Sequence, residues 1–332
     1  MIELIAEIGQ AHEGSLGIAH SYIDVLAETG VNTIKWQTHI ANAESSEYEE
    51  FRVKFSYEDH KRIDYWKRME FTPAQWQELK DHCEDKGLAF LSSPFSMEAV
   101  RLLEELNVDR YKIGSGEITN LLMLQQIAQT GKPIILSSGM SSFTELDETI
   151  DFLKPFGNEL SILQCTTSYP TQPSDWGLNV IQELKNRYHL KTGFSDHSGD
   201  IYAGLTAVAS GAEILEFHAV FHKQMFGPDA KSSLTPDQIR RLAEGVRQIE
   251  EAHNHPIQKE DNQRFTSLKQ IFEKSLAVNQ SLKQGTVLSM DMLEAKKPKG
   301  KGVDASRFKE LIGKTLTTDK SQWDFIQESD LE

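Results

Sequence analysis

Eight short apolar runs, separated by stretches long enough for helices, are the feature that most restricts what this chain can fold into. They are Glu3–Ile8, Thr33–Thr38, Ala89–Pro94, Arg110–Gly114, Pro133–Gly139, Leu160–Thr166, Lys191–His197 and Ile214–Val220. Several are apolar throughout instead of alternating, as parallel strands covered on both faces should be. Helix punctuation falls between them. Thr72-Pro73 supplies an N-cap followed by proline at the first helical position, and Thr235-Pro236 repeats it. Ser142 and Glu145 have the spacing of a capping box. Eight strand–helix repeats predict an α/β fold, a (β/α)8 barrel over residues 1–252. The rival doubly wound sheet usually closes with fewer strands and carries a glycine fingerprint after the first; Gly9-Gln10-Ala11-His12-Glu13-Gly14 lacks that spacing.

The remainder changes character. Residues 253–268 are polar and read as a linker. Residues 269–332 hold short apolar runs such as Ser275–Val278 and Leu282–Leu288 among turn residues, a small domain of mostly β and irregular structure. At 332 residues the chain is long enough to bury its core without disulfides, and Cys83 and Cys165 are too few for a disulfide framework. A net charge of −15 argues against nucleic acid and against anionic membranes, although it leaves room for a small anionic substrate in a locally basic pocket. The run Met1–Glu7 has acids where a signal peptide carries Lys or Arg, and no apolar run approaches ~18 residues. A cytoplasmic protein is expected.

Ala41–Phe71 is oversized for a barrel connection, and it is both acidic and aromatic. Its length and its place after a strand's C-terminal end suggest a lid or binding loop.

Barrel enzymes gather their chemistry at the C-terminal ends of strands. All eight ends here carry polar groups: Glu7 with His12-Glu13, Lys35 with Gln37 and His39, Ser92-Ser93, Lys112 with Ser115 and Glu117, Ser137-Ser138, Cys165-Thr166-Thr167 with Tyr169, Ser195-Asp196-His197, and Glu216-Phe217-His218. Lys35 and Lys112 lie on apolar strands, where an ammonium is costly unless an anion meets it. With Ser115, Ser138, Thr167 and Ser195 they would suit phosphate and carboxylate. Alternatively each pairs with a core acid such as Glu7 or Glu117. His197 and His218 end adjacent strands, so their imidazoles can converge on a borderline divalent ion.

Taken in order, the motifs Glu7-Ile8-Gly9-x-x-His12-Glu13-Gly14, Lys35-x-Gln37-Thr38-His39, Tyr111-Lys112-Ile113-Gly114-Ser115-Gly116-Glu117, Ser138-Gly139-Met140, Cys165-Thr166-x-x-Tyr169-Pro170, Ser195-Asp196-His197 and Gly227-Pro228-Asp229 resemble the sialic acid synthase (N-acetylneuraminate synthase-like) family. Leu282-Lys283-Gln284-Gly285, Lys296-Lys297-Pro298 and Leu311-Ile312-Gly313-Lys314 resemble that family's C-terminal antifreeze-like domain. The resemblance implies condensation of phosphoenolpyruvate with an N-acylated mannosamine-type aldose and release of phosphate. A related phosphoenolpyruvate aldol synthase and a non-catalytic sugar-binding homologue are the alternatives. It also implies a homodimer in which the small domain caps the partner's site.

Carried across, the resemblance makes His197 and His218 ligands of a divalent metal, Mn2+ first and Mg2+ or Co2+ as alternatives. It places Glu117, Lys35 and Glu13 in the catalytic set. Lys112, Ser115, Ser138, Thr167 and Ser195 would hold phosphoenolpyruvate; Gln37, Tyr169, Asp229 and Lys297 would face the sugar. The chain departs from the family pattern at Ala11, Thr167, Phe217 and Lys297. Lysine at 297, where the family has an arginine that touches the sugar's acyl group, admits a diacetamido-dideoxy hexose alongside N-acetylmannosamine.

Overall fold

A computed structural model describes residues 1–53 and 55–332, so Lys54 of the long loop lies outside the described residues. Strands β1 (Glu3–Gly9), β2 (Thr33–Thr38), β3 (Ala89–Pro94), β4 (Tyr111–Ile113), β5 (Ile134–Ser137), β6 (Leu160–Cys165), β7 (Lys191–Asp196) and β8 (Ile214–His218) pair in chain order. Every pairing is parallel, and β8 returns to β1 to close the barrel. The expected runs Arg110–Gly114 and Pro133–Gly139 are trimmed at both ends. Pro133 has no N–H to give a ladder, and Gly139 turns the chain at φ +25°.

Ser15 caps α1 (Leu16–Ala27). The connection after β2 contains α2 (Ala41–Glu44) and α3 (Arg62–Met69) before α4 (Pro73–Asp85) opens on a Thr72–Gln75 capping box. The helices α5 (Met97–Glu105) and α6 (Leu121–Ala128) follow, then α7 (Phe143–Leu153) on the Ser142–Glu145 box. Next come α8 (Leu178–Tyr188), α9 (Ile201–Ala209) and α10 (Pro236–Asn254). Their apolar stripes, among them Ile239, Leu242 and Val246 of α10, join the outward strand residues in one large core that includes Trp36 and Phe217.

The inward residues form layers. Ile5, Leu91, Ile135, Leu163 and Ile214 make an apolar plug. Because strand side chains alternate, the next inward positions, two residues further along, are Glu7, Ser93, Ser137, Cys165 and Glu216. The register puts Lys35 beside Glu7 and Lys112 beside Ile135. The plug therefore ends and the polar floor begins within one pleat.

The chain divides into two compact units, Met1–Asn254 and His255–Glu332. The stretch 253–268 is not irregular throughout, since α10 runs into it and α11 (Thr266–Phe272) begins inside it. In the second unit β9 (Ser275–Val278) and β10 (Leu293–Lys296) pair antiparallel over a small core of Leu276, Val278, Leu288, Leu316 and Ile326 among others. No helix among the described residues is long and apolar enough to cross a membrane.

Gly193 of β7 belongs to the plug layer because nothing larger fits there. A Cβ added to it would stand 2.3 Å from the Ile214 carbonyl oxygen and 2.6 Å from Leu163 Cδ2. Gly193→Ala should destabilise the barrel by about 1–3 kcal/mol through overpacking. A lowered urea midpoint is the expected result, and an unchanged one contradicts this account of the plug.

Candidate active site

The strands' C-terminal ends open on a cavity of about 530 Å3. Its floor is a buried charge cluster. Lys35 Nζ lies 2.6 Å from Glu7 Oε1 and 3.6 Å from Glu216 Oε1; Lys112 Nζ lies 3.0 Å from that same Glu216 oxygen. All four side chains are at most 4% exposed. Two cations and two anions cancel, which is the condition for keeping them out of water. Ser137 and Ser195 complete the shell: Ser137 accepts from Lys112 at 2.7 Å, and Ser195 donates to Glu216 Oε1 at 2.9 Å. Glu216 Oε2 is buried and has no hydrogen-bond partner.

Burial alone would raise both carboxyls. The neighbouring ammoniums overcome it, Lys35 first for Glu7 and Lys112 first for Glu216, and hold both below the usual carboxylate range. The lysines differ from each other. Burial works against both, but Glu216 and Glu7 raise Lys35 above the ordinary lysine value. Lys112 falls below it, because Glu216 is shared and Lys35 repels. Lys35 and Lys112 thus pair with the core acids Glu7 and Glu216 and also line the cavity.

Beside this floor the rings of His197 and His218 approach to 5.4 Å between centroids. His197 Nδ1 sits 3.0 Å from the Thr166 carbonyl oxygen, so it carries the proton and leaves the Nε2 lone pair towards the cavity. Burial first, then His218, drops the His197 pKa to about 4, so the ring is neutral at ordinary pH. His218 Nε2 is 3.5 Å from Glu7 Oε2. Among the described residues no group of three or more His, Cys, Asp or Glu is arranged to hold a metal ion. Two converging imidazoles fit an open divalent site whose other positions belong to substrate and water; they do not fit a closed structural one.

Tyr169 stacks on His197 at 4.2 Å and places its hydroxyl 3.3 Å from His197 Nε2. Gln37 lies on the same wall and is fully engaged: it donates to Glu7 Oε1 at 2.6 Å and accepts from Gln10, while His39 Nε2 lies 3.1 Å from its oxygen. His39 is clamped between Trp66 at 4.0 Å and Phe95 at 4.7 Å, and Glu44 meets its Nδ1 at 2.7 Å. Glu117, on the turn after β4, accepts from Asn120 at 2.7 Å, and burial raises its carboxyl above the ordinary range. Thr167, Ser115 and Asp229 also line the cavity. Ser115 Oγ lies 3.2 Å from Cys165 Sγ.

The described residues of the loop 41–71 contribute to this mouth. Phe51, Phe55, Tyr65, Trp66 and Met69 pack on one another in a small core of their own, and Glu44, Glu49, Arg52, Val53, Arg62 and Trp66 line the cavity.

Two expected site residues of the barrel unit lie outside the lining of this cavity. Ser138 faces away from the cavity, because alternation along β5 sends Ser137 inward and Ser138 outward, where it bonds Gln164 at 3.2 Å. Glu13, in a left-handed turn at φ +50°, points to the lid, where Arg68 Nη1 holds it at 2.9 Å. Lys297 belongs to the second unit, its ammonium 5.0 Å from the Phe272 ring centroid. Phe217 faces the outer core, 1% exposed, so this departure does not touch the cavity. Gln10, Arg52 and Arg62 enter the site without having been singled out. Parity with Ile135 was a readable signal for Ser137; nothing local marks the loop arginines.

The NeuB family model matches residues 22–258. The chain is a member of the NeuB family. It is 35% identical over 98% of both chains to the N,N'-diacetyllegionaminic acid synthase of Campylobacter jejuni. It is also 33% identical to the human N-acetylneuraminate-9-phosphate synthase, over 98% of this chain and 91% of the other. The solved N-acetylneuraminic acid synthetase of Leptospira borgpetersenii, in complex with citrate, superposes with a TM-score of 0.72 at 30% identity, covering 80% of this chain and 90% of that one.

Glu13 carries a pH signature. Burial raises its pKa from 4.5 to about 7, opposed only in part by Arg68, which Asp59 also claims. The folded state therefore binds the proton more tightly than the unfolded state. The stability it contributes is full below pH 4.5 and is lost as pH rises to about 7. In Glu13→Gln, urea midpoints measured from pH 4 to 8 should lack this part of the decline.

Proposed function

We propose that this chain is a phosphoenolpyruvate-dependent synthase of nonulosonic acids, joining phosphoenolpyruvate to the open-chain form of an N-acylated amino hexose. The observation that carries this reading is the meeting, in one cavity, of a buried lysine pair with hydroxyls and two adjacent imidazoles. The names of the relatives support it. The two relatives named as diacetyllegionaminic acid synthases place a diacetamido-dideoxy hexose beside N-acetylmannosamine among the sugars to test.

Lys35 and Lys112 face the phosphate and carboxylate of the enol substrate, with Ser115, Ser137, Thr167 and Ser195 as hydrogen-bond partners. The lysines arrive already neutralised by Glu7 and Glu216, so the floor holds its geometry before substrate enters and little reorganisation is needed. The enol phosphate brings its own negative charge beside Lys112, which favours the ammonium form that burial disfavours. His197 and His218 would hold the divalent ion, which when bound supplies Lewis-acid polarisation of the sugar's aldehyde oxygen. Tyr169, Gln37 and Asp229 set the sugar chain against the enol so that its methylene carbon faces the aldehyde carbon.

The methylene carbon's π electrons form the new carbon–carbon bond as the aldehyde's carbon–oxygen π bond breaks, and that oxygen takes a proton from water to become a hydroxyl, a proton made good by the water that adds next. Water adds at the phosphate-bearing carbon, giving its proton to Glu117, whose raised pKa suits it to hold one. The hydroxyl on the tetrahedral carbon then passes its proton to the departing phosphate as the carbon–oxygen bond to phosphate breaks, and the carbon becomes the 2-keto group. No covalent bond to the protein is required.

The test is phosphate release from phosphoenolpyruvate with each sugar, with and without Mn2+. Wild type should release phosphate only with an N-acylated hexose and a divalent ion. His218→Ala should lose at least 100-fold in kcat while its circular dichroism and unfolding midpoint stay close to wild type. Undiminished turnover in that variant would refute the role given to the imidazoles.

The second unit, with Lys297, is proposed to be the antifreeze-like domain that caps the partner's cavity in a homodimer. A chain truncated after Arg264 should then be inactive while its barrel stays folded. A fully active truncated monomer would contradict the capping role.

A further inference from the structure

The lid carries a group that no motif pointed to. Arg52 Nη2 donates to Asp229 Oδ1 at 3.1 Å, and its guanidinium carbon stands 4.1 Å from the Tyr169 ring centroid. That ring touches His197 in turn. Arg52 is therefore two stacking distances from the imidazole pair, on the side of the cavity given to the sugar. A guanidinium has five N–H donors in a planar fork, and the structure assigns one of them. The next residue, Val53, lines the cavity yet is 56% exposed. A fork of donors and an isopropyl group thus stand side by side at the mouth.

Charge narrows what they can receive. Arg52 is neutralised by Asp229, and the second rim arginine, Arg62, has Glu49 at 3.5 Å. The rim holds no surplus positive charge among these four groups, so it does not favour a phosphate on the distal end of the sugar. A neutral amide suits both neighbours: its carbonyl oxygen accepts from the fork and its methyl packs on Val53.

We infer that Arg52 is a specificity residue that reads the acyl carbonyl of the amino sugar from the lid of its own chain, with Val53 covering the acyl methyl. This rests on the condensation reading above. A charge-assisted hydrogen bond of this kind corresponds to about 10- to 100-fold in kcat/KM.

The experiment compares wild type, Arg52→Ala and Arg52→Lys on two sugars at saturating phosphoenolpyruvate. One is the N-acylated hexose that wild type uses fastest; the other carries a hydroxyl in place of the acylamino group, scored by its Ki as a competitive inhibitor if it is not turned over. Arg52→Ala should lose about 10- to 100-fold on the acylated sugar and less than threefold on the other, with the KM for phosphoenolpyruvate unchanged. Arg52→Lys should recover only part of the loss, since a lysine keeps the charge without the fork. Equal losses on both sugars, no loss, or full recovery by lysine would overturn the proposal while leaving the synthase reading intact. A loss confined to a phosphorylated form of the sugar would overturn it too, in favour of anion recognition. If wild type acts on no acylated hexose at all, the synthase reading itself falls and takes this proposal with it.

Discussion

Two lysines and two glutamates buried together on the barrel floor set the terms for the rest of the structure. An isolated ammonium at 4% exposure would lose its proton or pull the strand towards water. Lys35, Glu7, Glu216 and Lys112 avoid this by spanning four strands, β1, β2, β4 and β8, so that each charge is met from a different part of the ring. Such a cluster holds only if the barrel closes in one register. A slip of a single residue on β8 would turn Glu216 outward and Phe217 into the floor. Closure and chemistry are thus the same requirement.

Above that floor the imidazoles, Tyr169 and Gln37 are held by their own neighbours before any ligand arrives. Thr166 sets the His197 tautomer, and Gln10 with His39 sets the Gln37 amide. The long loop packs its own small aromatic core and reaches the barrel through ring contacts, Trp66 on His39 and Phe55 on Phe226, and through polar pairs, Arg68 with Glu13 and Arg52 with Asp229. The polar pairs can be exchanged for contacts to a ligand at little cost, whereas the floor cannot be opened without exposing bare charge.

Much of this was legible residue by residue. The strand runs, the Thr72 and Ser142 caps and the polar strand ends appear where the sequence places them. Readings that counted polar residues without tracking side-chain parity went astray by one position, as with Ser138 against Ser137. Glu13 was misplaced for another reason: its backbone is left-handed, and its partner Arg68 lies 55 residues away. Glu216 was visible at a strand end, but its role depends on two lysines contributed by distant strands.

The sequence by itself determined the local matters: where helices start, which strands are buried on both faces, and that each strand ends in groups fit for chemistry. These follow from capping, periodicity and hydrophobicity, which act over a few residues. Only the tertiary structure decided which charges meet which, that Arg52 lies over Tyr169, and that Phe217 points away. Those outcomes depend on register, ring closure and the path of a long loop, and such long-range geometry is set by the packing of the whole barrel.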